Sequence, residues 1–273
     1  MSAWLEALRT RLPRHAELLV ALVGLCRDDE RVRALELQCS IARGAGDELS
    51  DLDLGMAVVD EDWQRVAGEL PAQLSRLAPT VDLLAHTVPE WGIRPHRRLF
   101  VQYADGRQLD LVVQPASAVS GRVAGAVVLY DPDGRLAEPR AVAAATATAE
   151  DVRAWEVLGW EALSNADKYL RRGSRWEALA RVEQGRDLAL RLWAVAEDVP
   201  YPGFGLTSLL DVDPPRLPDG LDGTATRADL ADLAVAARAC AELMRSAGAR
   251  ARKRTASEWP ESPMAAWVSE RLR

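Results

Sequence analysis

The run Cys39-Ser40-Ile41-Ala42-Arg43-Gly44-Ala45-Gly46-Asp47-Glu48-Leu49-Ser50-Asp51-Leu52-Asp53 gathers hydroxyls, a guanidinium, two glycines and an Asp-x-Asp pair in one short stretch. The apolar residues Leu54, Met56, Ala57, Val58 and Val59 follow, so residues 51–59 are predicted to form a strand. Strand side chains alternate with a period of two, which puts Asp51 and Asp53 on one face. Magnesium takes oxygen ligands, usually one or two carboxylates completed by phosphates and water. Two carboxylates can also share a pair of ions about 3.5–4 Å apart. Ser40 and Ser50 offer hydroxyl donors, and Arg43 can fork onto a phosphate. Gly44 and Gly46 allow backbone N–H groups to approach an anion. This set of groups suits polyphosphate chemistry, and nucleotidyl transfer in particular.

With Ser40-x-Ala42-Arg43-Gly44 followed by Ser50-Asp51-x-Asp53-Leu54, the chain resembles the nucleotidyltransferases of the DNA polymerase beta superfamily. Within it, the pattern is most similar to the bacterial aminoglycoside and antibiotic O-nucleotidyltransferases. One position departs from the family pattern: Cys39 stands where the family has glycine, which is expected to hold only if Cys39 has ordinary backbone angles. The resemblance implies a third acid on a neighbouring strand. Residues 97–103 and 107–113 read as a hairpin around Asp105-Gly106, and Asp110 alternates with Leu109 and Leu111. An acid in such a strand is costly to bury without a cation. By the resemblance, Asp110 is a metal ligand or the general base.

The elements that must hold these groups divide the chain in two. Residues 1–30 read as helices, with Pro13 opening the second. Strands and one helix alternate over about 34–131; that helix is expected to start near Asp60 as N-cap and to bury Trp63, Val66 and Leu70. A further strand covers 125–130, and Asp131 and Asp133 after it read as turn residues. Residues 143–150 form an Ala/Thr linker. Beyond it, 150–172, 175–196 and 225–248 carry helical apolar spacing, with an irregular Pro/Gly-rich connection at 199–223. The fold class is therefore α+β: a mixed sheet flanked by helices over 1–140, then an all-helical domain over 141–273. The resemblance implies that the helical domain closes over the nucleotide and shapes the acceptor site.

Lys168 and Lys253 are the only two lysines in the chain. Lys168 lies in the cluster Lys168-Tyr169-Leu170-Arg171-Arg172-Gly173-Ser174-Arg175-Trp176, where Lys168 and Arg172 are candidates for the triphosphate. A helix C-terminus capped by Gly173 accounts for the same residues. Glu161, Asp167 and Glu177 are candidates for a cationic acceptor or for a solvated helix face. His15, His86 and His96 lack ligand spacing and read as structural or exposed.

Composition narrows the partners. A net charge of −7 disfavours nucleic-acid binding. Cys26, Cys39 and Cys240 are few, odd in number and without metal spacing, which suggests reduced thiols and a cytoplasmic protein. No apolar stretch is long enough to span a bilayer. The expected activity is magnesium-dependent transfer of a nucleoside monophosphate, AMP from ATP, to a hydroxyl of a small acceptor, with a cationic, aminoglycoside-like antibiotic as the candidate class. The alternatives are a nucleotidyltransferase modifying a partner protein or tRNA, and a decayed nucleotide-binding protein.

Overall fold

The computed structural model describes residues 3–87, 96–140 and 147–273. The chain divides into two compact units, Met1–Val142 and Ala143–Arg273. It is an α+β protein: a helix-flanked mixed sheet, then an all-helical unit.

The first unit opens with α1 (Ala3–Arg11) and α2 (Pro13–Asp28), and Pro13 does occupy the first turn of α2, where no N–H is needed. Then come β1 (Val32–Leu37), the one-turn helix α3 (Cys39–Ala42), β2 (Leu52–Val58), α4 (Trp63–Leu74), β3 (Thr80–His86), β4 (Arg97–Tyr103), β5 (Gln108–Pro115) and β6 (Val127–Tyr130). The six strands order as β3-β4-β5-β2-β1-β6. Only β2 and β5 run parallel; every other pair is antiparallel. Alternation along the strands gives the sheet two different faces. Leu35, Leu37, Leu52, Leu54, Met56, Leu99, Val101, Leu109 and Leu111 bury one face against α1, α2 and α4. On the other, Ala34 and Ala57 meet Ala116, Val119 and Leu136. Asp53 and Asp110 lie on that second face, because they alternate with the buried leucines on either side.

Several expectations change in detail, and the last long helix, expected over 225–248, covers Leu230–Arg254. Asp60 does not cap α4: its Oδ1 accepts from Ser117 N at 2.9 Å, and the N-cap is Asp62. The strand at 125–130 begins only at Val127. The edge strand β3, with Val81 and Leu84 exposed, was not separately foreseen.

The second unit packs α5 (Ala149–Arg171), α6 (Arg175–Ala196) and α8 (Leu230–Arg254) around Trp160, Leu163, Val182, Leu192, Leu233 and Met244. α5 starts in a capping box, with Thr148 and Asp151 bonding reciprocally. Two short turns and α7 (Leu206–Leu210) occupy the irregular connection, and α9 (Pro263–Arg271) ends the chain. Of the expected linker, 143–146 lie outside the described residues. Among the described residues no helix is long and apolar enough to cross a membrane.

Candidate active site

Register brings the carboxylates together. β2 and β5 pair with Leu52 opposite Leu109, Asp53 opposite Asp110 and Leu54 opposite Leu111. Asp53 and Asp110 therefore project side by side from the two central parallel strands. Asp51, just before β2, adds a third negative charge felt by Asp53. Burial, then the charge of Asp51, and more weakly that of Asp110, push the Asp53 carboxyl up to about 6. Like charges crowded in partly dry surroundings favour a proton or a cation among them.

The turn that links β1 to β2 closes directly over Asp53. Gln38 N donates to Asp53 O at 2.8 Å, and the next residue, Cys39, starts α3. Cys39 has φ +56°, in the left-handed region. This corrects the expectation of ordinary angles: the cysteine adopts the backbone conformation that a glycine would take most easily. Its thiol senses the charge of the Asp53 carboxyl. The residue as a whole is exposed, yet burial of the thiol, together with the Asp53 charge, pushes it up to about 12.

The loop beyond α3 spends its amides on itself. Gly44 N donates to Ile41 O at 3.1 Å, and Ala45 N and Gly46 N both donate to Ser40 O at 3.0 Å. These three N–H groups are turned inward, so the expected anion nest is not formed from them. Gly46 is required for a different reason. A Cβ there would lie 2.5 Å from Ile41 Cγ1 and 2.9 Å from Ile41 Cα, so the chain can fold back only without one. Arg43 is the C-cap of α3 and is exposed. Ser50 Oγ donates to Asp47 Oδ1 at 3.1 Å and accepts from Asp47 N at 2.9 Å. The first helices brace this loop: Arg11 donates to Gly44 O, and His15 Nε2 bonds Ser50 O at 2.9 Å. His15 is thus a buried structural histidine.

Two residues of this face escaped the sequence reading. Arg98, on β4, reaches diagonally across to Asp110, with Nε 2.7 and 2.8 Å from the two carboxylate oxygens and Nη2 also on Oδ2. Such charge-assisted forks are among the stronger hydrogen bonds in proteins. Hydrogen bonding to Asp110 raises the Arg98 pKa further, with the charges of Asp53 and Asp51 adding to it. Glu36, on β1, is buried; its Oε1 accepts from Gln38 Nε2 and its Oε2 from Val123 N, each at 2.9 Å. Burial holds its carboxyl above the usual range. No signal in the sequence marks either residue, because both act across strands whose register the sequence does not give.

Asp53 and Asp110 on one face, with Asp51 just before β2, are hard oxygen donors, the chemistry magnesium requires. Among the described residues, however, no three His, Cys, Asp or Glu side chains are gathered as a metal cage. The fork from Arg98 engages Asp110 instead.

Lys168 and Arg172 belong to the second unit. Lys168 Nζ donates to Asn165 Oδ1 at 2.7 Å and lies 4.5 Å from the Tyr169 ring centroid. Arg172 is the exposed C-cap of α5. Gly173, at φ +69°, and Ser174 complete a Schellman turn, their N–H groups donating to Leu170 O and Tyr169 O at 3.0 Å. Asp167 is buried between Arg171 and Arg271, so neither the acceptor reading nor the solvated-face reading holds for it. Arg175, Trp176 and Glu177 line a cavity with Ala228, Asp229 and Leu230, which includes neither Lys168 nor Arg172.

The first unit is thus an α+β domain whose central parallel strand pair presents paired acids on one face. No family model and no curated protein matches the chain. Among solved structures it is similar to the crystal structure of an aminoglycoside 6-adenyltransferase from Bacillus subtilis. That likeness has 15% identity and a TM-score of 0.43, and it covers 94% of this chain and 95% of that chain.

Proposed function

We propose that the protein is a nucleotidyltransferase that moves a nucleoside monophosphate, AMP from ATP, onto a hydroxyl of a small acceptor of the aminoglycoside-like class. The observation that carries this reading is the in-register pairing of Asp53 with Asp110, with Asp51 two residues away. Asp51, Asp53 and Asp110 would hold magnesium, which when bound neutralises charge on the triphosphate. The acceptor oxygen attacks the α-phosphorus in line as the bond to the bridging oxygen breaks, and pyrophosphate departs. A carboxylate, assigned here to Asp110, takes the hydroxyl proton. Ser40, which follows Cys39 in α3, is assigned as a hydroxyl donor to the phosphates, a role carried by the sequence pattern alone. Lys168 and Arg172 are assigned to the pyrophosphate side, a role carried by the sequence pattern alone.

A thermal-shift panel of nucleoside triphosphates with magnesium, on wild type and Asp53→Asn, tests the assignment. Ligand at about a hundred times its dissociation constant adds about 2.7 kcal/mol. The expected result is a shift of several degrees with ATP that needs magnesium and is lost in the variant. A wild type that no triphosphate stabilises, and that releases no pyrophosphate with any hydroxylated acceptor, overturns the reading.

A further inference from the structure

Asp110 enters the proposed chemistry already partnered. Arg98 holds both of its carboxylate oxygens, and the pair is only partly exposed, with 34% of the Arg98 side chain and 12% of the Asp110 side chain accessible. The same guanidinium senses Asp53 and Asp51. One positive charge thus serves the paired acids of one sheet face and the neighbouring Asp51. A divalent cation on Asp110 would stand beside that guanidinium, and like charges so close in partly buried surroundings repel strongly. Arg98 and a metal ion therefore compete for Asp110.

We propose that Arg98 is a two-position side chain, the counter-ion of Asp110 in the metal-free protein and a ligand of the substrate's triphosphate once Asp110 turns to a divalent cation. The inference rests on the function proposed above. Its geometric basis is that Arg98 starts on the same face as the acids and one strand beyond Asp110. Released from Asp110, its planar fork suits a phosphate as well as it suited the carboxylate. Cations on the acids also remove the attraction that held the guanidinium there, so the exchange is driven from both sides.

The test measures metal and nucleotide binding on the full chain, with no reaction required. Calorimetry with manganese alone compares wild type, Arg98→Gln and Arg98→Lys. A second titration uses ATP with magnesium, and circular dichroism checks that each variant is folded. Arg98→Gln should bind manganese about tenfold more tightly than wild type and ATP with magnesium about tenfold more weakly, a coupling of ordinary allosteric size. Arg98→Lys, still cationic but unable to fork, should fall between them in both titrations. Equal manganese affinity in wild type and Arg98→Gln overturns the competition, and equal ATP affinity overturns the second position. If wild type binds neither manganese nor ATP with magnesium, the nucleotidyltransferase reading falls and takes this inference with it.

Discussion

Cys39 bends into the left-handed region at the start of α3, directly after Gln38 donates its N–H to Asp53 O, so its thiol senses the Asp53 charge. A non-glycine residue in that conformation bears roughly 1–2 kcal/mol of steric strain.

Cys39→Gly relieves the strain, with a net gain in stability of about 0.5–1 kcal/mol expected. Cys39→Val, whose β-branched side chain fits the left-handed region least well, should lose more than that. Chemical unfolding of the three proteins checks the order. If the glycine variant is the least stable, the strain argument fails.

Asp53→Asn should show a trade between stability and activity. The substitution removes a carboxylate crowded by burial and by Asp51 and Asp110. It should raise stability by about 1 kcal/mol while lowering nucleotidyl transfer by about 10²-fold or more. Full activity in a stabilised Asp53→Asn would remove this residue from the site.

Glu36 predicts a pH dependence. Burial raises its folded pKa, so the stability it contributes is complete below its unfolded value of about 4.3 and is lost as pH rises through the folded value. Glu36→Gln lacks this loss and keeps an acceptor for Val123 N. The melting-temperature difference, variant minus wild type, should grow from about pH 4 to about pH 8. A difference independent of pH would show that the carboxyl is not perturbed.

Gly46→Ala forces a Cβ into Ile41, where the Cα as well as the side chain obstructs it. Overpacking of this kind costs about 1–3 kcal/mol. Hydrogen exchange should show the amides of residues 44–46 losing protection first; unchanged exchange would mean the loop tolerates the methyl.

In the second unit, Glu156 is buried, bonds Arg252 Nη1 at 2.5 Å and accepts from Ser262 N, just before α9. Glu156→Ala strands Arg252 and should cost about 3–5 kcal/mol. Loss of α9 protection ahead of α5, α6 and α8 is the expected signature, and a melting temperature within a degree of wild type would contradict it.

What the sequence shows depends on how locally each feature is encoded. Helical spacing marked α5, α6 and α8 because a long buried stripe repeats every turn. Asp105-Gly106 marked the β4–β5 hairpin, and Gly106 indeed has φ +93°. β3 was hidden because its exposed Val81 and Leu84 break the alternation of a half-buried strand. The acids themselves stood out as types in a pattern. Their pairing did not, since a parallel register reached through a crossover leaves no local trace. Arg98 and Glu36 were hidden for the same reason. Asp60 looked like a cap because its type fits one, yet Ser117, far along the chain, claims its oxygen.

The one parallel strand pair among the described residues also predicts an order of assembly. Arg98 and Asp110 sit 12 residues apart on one hairpin, a loop quickly closed, whereas Asp53 joins only when β2 docks across the long excursion through α4, β3 and β4. The hairpin therefore carries its acid to the sheet already neutralised. β2 then arrives beside a pair of nearly zero net charge instead of a bare carboxylate, and the repulsion among the acids is deferred until the centre of the sheet is in place. Pulse-labelled exchange should find the β4–β5 amides protected before those of β2.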